Sequence, residues 1–372
     1  PDRRRRHRCR RRAQREQRIA ERISPRKTIT QDYKLSRGSL AKFHGTMAHE
    51  VQDSFWMPEE SRFVGVTSPV SDSDLFIPVD DLPGWLQVGQ SLEIRSGSER
   101  QIVVVDSWGA GQINLVSGVS GDWPVGSRVF QLREGRFEQT MRLTLGTNTS
   151  AGTTLAFVCD PKPQTEVLGA AEQTFNGREL WLMRPNWSEN PTSEIQGYLD
   201  TLDYSRGPLS HFSPVDFGTR IEKLTYLSKT RPEAESLVQF FSRMRGQQGE
   251  FYMPTWEPDF DLSVGALSAS DTLVIPGTDF YDQYAESPVY KAVFVLMRDG
   301  SYVAKMIESI TTDTVNSTLT VDSYWSKVIN EDTAVMGCML PVWRFATDTL
   351  TVEFVTREVA QTQVSMRTLE DL

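Results

Sequence analysis

The chain contains an ordered series of landmarks twice. Residues 39–159 and 236–368 carry the two sets. Ser39-Leu40, Phe43 and Met47 open the first; Ser236-Leu237, Phe240 and Met244 open the second. Phe55-Trp56-Met57-Pro58 then matches Phe251-Tyr252-Met253-Pro254, and Leu75-Phe76-Ile77-Pro78 matches Leu273-Val274-Ile275-Pro276. Arg95-Ser96-Gly97-Ser98 matches Arg298-Asp299-Gly300-Ser301, and Arg136-Phe137 matches Arg344-Phe345. Chance matches would not keep this order with so little drift in separation. A tandem duplication of a domain-sized unit is the expectation. Two copies are too few for a solenoid. A duplicated module points toward architecture and binding more than toward one active site.

Each copy reads as a short helix followed by β-rich sequence. Leu40, Phe43, Met47 and Val51 recur at helical spacing over residues 39–51. The second copy repeats this with Leu237, Phe240, Phe241 and Met244; Pro232-Glu233-Ala234-Glu235 supplies its start signal, and Gly246 and Gly249 its end. Ser91 to Arg95 with Arg100 to Val105, and Ala292 to Met297 with Tyr302 to Ile307, read as hairpins around Ser-Gly and Asp-Gly turns. Thr318 to Val321 and Thr349 to Val355 alternate at period two, the mark of half-buried antiparallel strands. The expected fold is mainly β: two related β-barrel or sandwich domains, each preceded by a short helix, with a basic N-terminal arm. The expected divisions are 1–27 (arm), 28–160 (first copy), 161–220 (linker with strands) and 221–372 (second copy).

The net charge of −9 hides two populations. Residues 1–27 hold twelve arginines and Lys27 against only Asp2, Glu16 and Glu21, so the rest of the chain is strongly acidic. Such asymmetry marks an interaction tail. Arg3, Arg4, Arg5, Arg6, Arg8, Arg10, Arg11 and Arg12 could dock on an acidic protein surface, including that of a neighbouring subunit, or neutralise phosphates on nucleic acid. A solvated tail with no specific role is the third reading. No aromatic residue interleaves them, which disfavours base stacking.

Signals for chemistry are weak. Cys9, Cys159 and Cys338 are odd in number and widely spaced, so a reduced folding environment and no disulfide framework are expected. His44 and His49 lie five apart on the expected helix, whereas zinc pairs on a helix need three or four, so no metal and no cofactor are expected. There is no nucleophile elbow, phosphate loop or dinucleotide fingerprint. The pairs Asp72/Asp74, Asp80/Asp81 and Asp259/Asp261 sit in expected loops, and an acidic chain offers many such pairs. No apolar run approaches a membrane span. The aromatic-Met-Pro motifs read as strands packed on the preceding helix and ended by proline. Trp256, in a Pro-bounded loop, is the expected exposed contact.

The stretch Ser236-Leu237-Val238-Gln239-Phe240-Phe241-Ser242-Arg243-Met244-Arg245-Gly246-Gln247-Gln248-Gly249-Glu250-Phe251-Tyr252-Met253-Pro254-Thr255-Trp256 resembles tail-tip and baseplate structural proteins of tailed bacteriophages. Asp216-Phe217-Gly218 and the strand Ile221 to Leu227 resemble the lead-in used there. The match returns in degraded form at 39–58, where His49-Glu50-Val51-Gln52-Asp53 replaces the Arg-x-Gly turn. The resemblance implies a virion tail component similar to distal tail or hub proteins. It implies a homo-oligomeric ring between tail tube and host-recognition proteins, made in the host cytoplasm, with other tail proteins as partners and no enzymatic role. The runner-up expectation is a receptor- or carbohydrate-binding virion module contacting its target through Trp85, Trp123, Trp187 and Trp325; a cell-wall hydrolase ranks third.

Overall fold

The computed structural model describes residues 27–50, 53–138, 141–147, 149–160, 171, 173–197, 199–203, 210–213, 217–356 and 358–371. The fold is mainly β, built from several antiparallel sheets. In the first half, strand Thr28–Ser36 pairs along its whole length with Ser150–Cys159. Ser150–Cys159 also takes the hairpin strand Leu143–Thr147 and the end of Arg128–Phe137, which in turn pairs with Phe55–Gly65. A smaller unit hangs from the other end of Arg128–Phe137. It is the meander Ser91–Ser96, Glu99–Gly109, Gln112–Leu115 and Phe76–Pro78.

The second half repeats these pairings in the same chain order, except that its meander forms a separate five-stranded sheet. Thr219–Ser228 pairs with Ala360–Thr368, which also takes Thr351–Phe354 and Val342–Phe345. Val342–Phe345 pairs with Phe251–Tyr252. Ala292–Met297, Tyr302–Thr312, Asn316–Val321 and Thr272–Pro276 form the matching meander, with Ala334–Met339 against Ala292–Met297. Both expected hairpins fall where the turn glycines place them: Gly97 and Gly300 have φ of +57° and +82°.

Two further features differ between the halves. First, the segment read as a linker feeds the second sheet. Arg178–Leu180 lies parallel to Phe251–Tyr252, and Thr192–Gln196 pairs antiparallel with Thr219–Ser228. The hairpin of Asp200–Leu202 and Ser210–Phe212 forms a two-stranded sheet of its own among the described residues. Second, the two helices pack differently. Helix α1 spans Arg37–Glu50 and α2 spans Arg231–Met244. In α2, Thr230 and Glu233 form a reciprocal capping box, Thr230 Oγ1 accepting from Glu233 N and Glu233 Oε2 from Lys229 N. Its buried face is Ala234, Leu237, Phe240 and Met244. Phe240 stacks on Trp181 at 4.1 Å and meets Phe251 edge-on at 4.9 Å. Among the described side chains of α1 only Leu40 is buried; Phe43 and Met47 are half-exposed. The first half has no counterpart of Trp181 among the described residues, so α1 gains little cover.

Pro58 corrects one expectation. It does not end its strand: Phe55–Gly65 runs through it, with Pro58 opposite Leu132 and an irregularity between Glu59 and Phe63. Among the described residues the strand pairs on one side only, where a missing N–H is tolerated. The continuation carries Glu59 and Arg62 into the interior.

Gly265 tests how tightly the second meander closes. Its φ is +75°, and a Cβ there would sit 2.0 Å from the Ile329 carbonyl oxygen. Gly300 has a similar φ but open space around it. Gly265→Ala should therefore cost about 3 kcal/mol, against about 1 kcal/mol for Gly300→Ala, read from urea midpoints at constant slope. Equal shifts would show that the close approach at Gly265 does not hold.

Candidate functional site

A cleft of about 2520 Å³ separates the halves, lined by residues of the first sheet, the Asp80–Ser91 loop, α2 and the strand Thr351–Phe354. A buried charge cluster closes its floor. Glu59, only 3% exposed, accepts from Ser61 Oγ at 3.0 Å and Arg133 Nε at 3.2 Å, and is also bonded by Lys27 Nζ. Arg62 Nε lies 3.5 Å from it. Burial alone would raise the Glu59 carboxyl, but Lys27, Arg62 and Arg133 together outweigh it and hold the group well below the usual carboxylate range.

Arg62 is the bridge to the other half. Its Nη1 donates to Gln131 Oε1 at 3.0 Å; its Nε and Nη2 donate to the two carboxylate oxygens of Glu235 on α2 at 3.1 and 2.6 Å. Arg231, one turn earlier on α2, lays its guanidinium over the Phe63 ring at 3.6 Å. The clasp is bidentate and largely dry, so it fixes one relative placement of α2 and the first sheet. Lys27, expected as the last residue of the arm, belongs to this cluster instead.

Two further networks tie chain ends and loops. Arg220 pairs with Glu222 and, at 2.6 Å, with Glu257. Burial raises both Glu222 and Asp259, and Asp259 accepts from Met339 N at 2.7 Å. Arg178 and the Tyr252 hydroxyl each donate to Asp371 at 2.8 Å, anchoring the last described residue. Burial pushes the Cys338 thiol up to about 12 and also raises Cys159, so neither is a nucleophile near neutral pH. Among the described residues no group of three His, Cys, Asp or Glu could hold a metal ion. No described helix is long and apolar enough to cross a membrane.

The expected site residues fare unequally. Arg3, Arg4, Arg5, Arg6, Arg8, Arg10, Arg11 and Arg12 lie outside the described residues. Trp256 is not an exposed contact: it is 7% exposed, edge-on to Phe294 at 5.8 Å, with Arg184 over its ring at 5.5 Å. Its left-handed backbone, φ +57°, turns the ring into the packing between strand Ala292–Met297 and Leu180. Trp85, Trp123 and Trp325 are also buried, in the cores of the two meanders. Trp187 alone of the four is exposed, on a short helical turn capped by Asn186. The expected carboxylate pairs serve loops: Asp72 accepts from Gly121 N at 2.8 Å, Asp74 from Ser71 N at 2.7 Å and Asp261 from Ser263 N at 2.9 Å.

Sequence reading missed the Glu59, Arg62 and Glu235 clasp. Arg62 and Glu235 are 173 residues apart, and nothing local marks them as partners. The one available signal was Glu59 and Arg62 following a proline in a strand otherwise buried at alternate positions. No family model and no curated protein matches the chain.

Proposed function

We propose that the chain is a structural component of a phage tail tip or baseplate, descended from an internal duplication, that assembles into a homo-oligomeric ring and links the tail tube to host-recognition proteins. Its work is assembly rather than catalysis. The carrying observation is the pair of halves with one strand-pairing plan and unequal edges. The second half covers the edge of Thr219–Ser228 with its own Thr192–Gln196, while the equivalent edge of Thr28–Ser36 has no such strand among the described residues. One scaffold used twice, with one side completed in cis and the other left open, suits a subunit that meets two different neighbours. The phage-like stretch from Ser236 to Trp256 builds α2 and the strand it packs on, which supports the same reading. The receptor-binding alternative retains Trp187 as its exposed loop tryptophan.

Gold-labelled antibody against this chain, applied to intact particles of the virus that encodes it, should decorate the distal end of the tail. Label on the capsid, or none on disrupted particles, would remove the assignment.

A further inference from the structure

We propose that copies of this chain join edge to edge, the outer edge of strand Thr28–Ser36 on one copy pairing antiparallel with the outer edge of strand Thr192–Gln196 on the next. The inference deepens the ring reading and rests on it. Three observations lead to it.

Both strands are terminal. The first sheet begins at Thr28–Ser36 and the second ends at Thr192–Gln196, with no described strand beyond either. Neither contains a proline, so each presents a row of backbone donors and acceptors. The scaffold also accepts a strand in this position: Thr219–Ser228, the equivalent of Thr28–Ser36, is paired there antiparallel from Thr192↔Lys223 to Gln196↔Thr219.

The surroundings are complementary in charge. Beside the first edge, Lys34, Arg37 and Lys42 are exposed, and the acidic Asp32 is already bonded to Thr154 Oγ1. Beside the second edge, Glu189 and Glu194 are exposed, Asp203 is exposed in the hairpin that follows, and Lys223, opposite Thr192, is an exposed cation that they outweigh.

Both edges also carry apolar groups short of cover. Phe43 and Met47 of α1 are half-exposed, and Ile195 and Leu199 are 78% and 62% exposed. The hairpin of Asp200–Leu202 and Ser210–Phe212 joins no larger sheet among the described residues, and isolated hairpins are marginal in water. Seated on α1 of the next copy, it would gain a packing surface. Because the two edges differ, the contact is heterologous and propagates as a ring or filament.

The test uses the full chain and two triple variants, followed by light scattering after size exclusion. One variant carries Lys34→Glu, Arg37→Glu and Lys42→Glu; the other carries Glu189→Lys, Glu194→Lys and Asp203→Lys. The wild type should be oligomeric, and each variant alone should associate about tenfold more weakly or worse. Their equimolar mixture should recover the oligomer, because each junction then pairs opposite charges; recovery also proves both variants folded. Variants that assemble like the wild type would overturn this interface and leave the ring reading standing. A wild type that stays monomeric at every soluble concentration would overturn both. Loss of the oligomer on deleting residues 1–26 would instead make the basic arm the occupant of the edge, and would overturn the pairing between copies.

Discussion

Glu59→Gln should lower the unfolding free energy by about 3 kcal/mol and flatten the acid limb of the stability profile. The substitution keeps the shape but leaves Lys27, Arg62 and Arg133 facing one another without their shared anion. Breaking a buried ion cluster costs ~3–5 kcal/mol; the lower end applies here because Lys27 and Arg133 are 36% and 22% exposed and solvent screens part of the repulsion. The pH dependence follows from the direction of the shift. The folded carboxyl lies below its ordinary value of 4.5, so its contribution is complete above that value and is lost as pH falls below it. Urea titrations at pH 7 and pH 3.5 check this. The wild type should lose only the first part of the Glu59 contribution between the two, because the folded carboxyl stays ionised at pH 3.5, and Glu59→Gln should lose correspondingly less. An equal acid loss in both proteins would mean that Glu59 does not carry this pH-dependent stability.

Phe240→Ala should cost about 4 kcal/mol, while Phe43→Ala, at the matching place in α1, should cost about 1 kcal/mol. Phe240 is fully buried among Trp181, Phe251 and Phe345, so truncation leaves a cavity that rigid rings cannot fill. Phe43 is half-exposed, so its truncation removes less buried apolar surface. Paired denaturation midpoints on the isolated chain would decide it. Similar costs would mean that α1 is covered in the monomer, which would also weaken the case for a neighbour packing there.

Much of the architecture was legible because it is written in local chemistry. Pro232 and the acidic residues after it marked the start signal of α2, the Ser-Gly and Asp-Gly turns marked both hairpins, and period-two alternation marked strands. The landmarks that recur in the sequence fall on strands with matching partners. Less legible was which aromatics face solvent. Trp85, Trp123 and Trp325 lie in loop-like sequence but fill the meander cores, and Trp256 turns inward through a left-handed backbone that its neighbours do not announce.

By itself the sequence determined the β-rich class, the paired landmarks and the charge contrast between arm and body, since each depends on residue type and near spacing. Only the tertiary structure decided that Arg62 grips Glu235, that the segment after residue 173 completes the second sheet, and that Thr28–Ser36 carries no such strand among the described residues. Those features depend on which distant surfaces meet. Two halves with similar local patterns can be covered differently, and their sequences alone do not say which edge is left open.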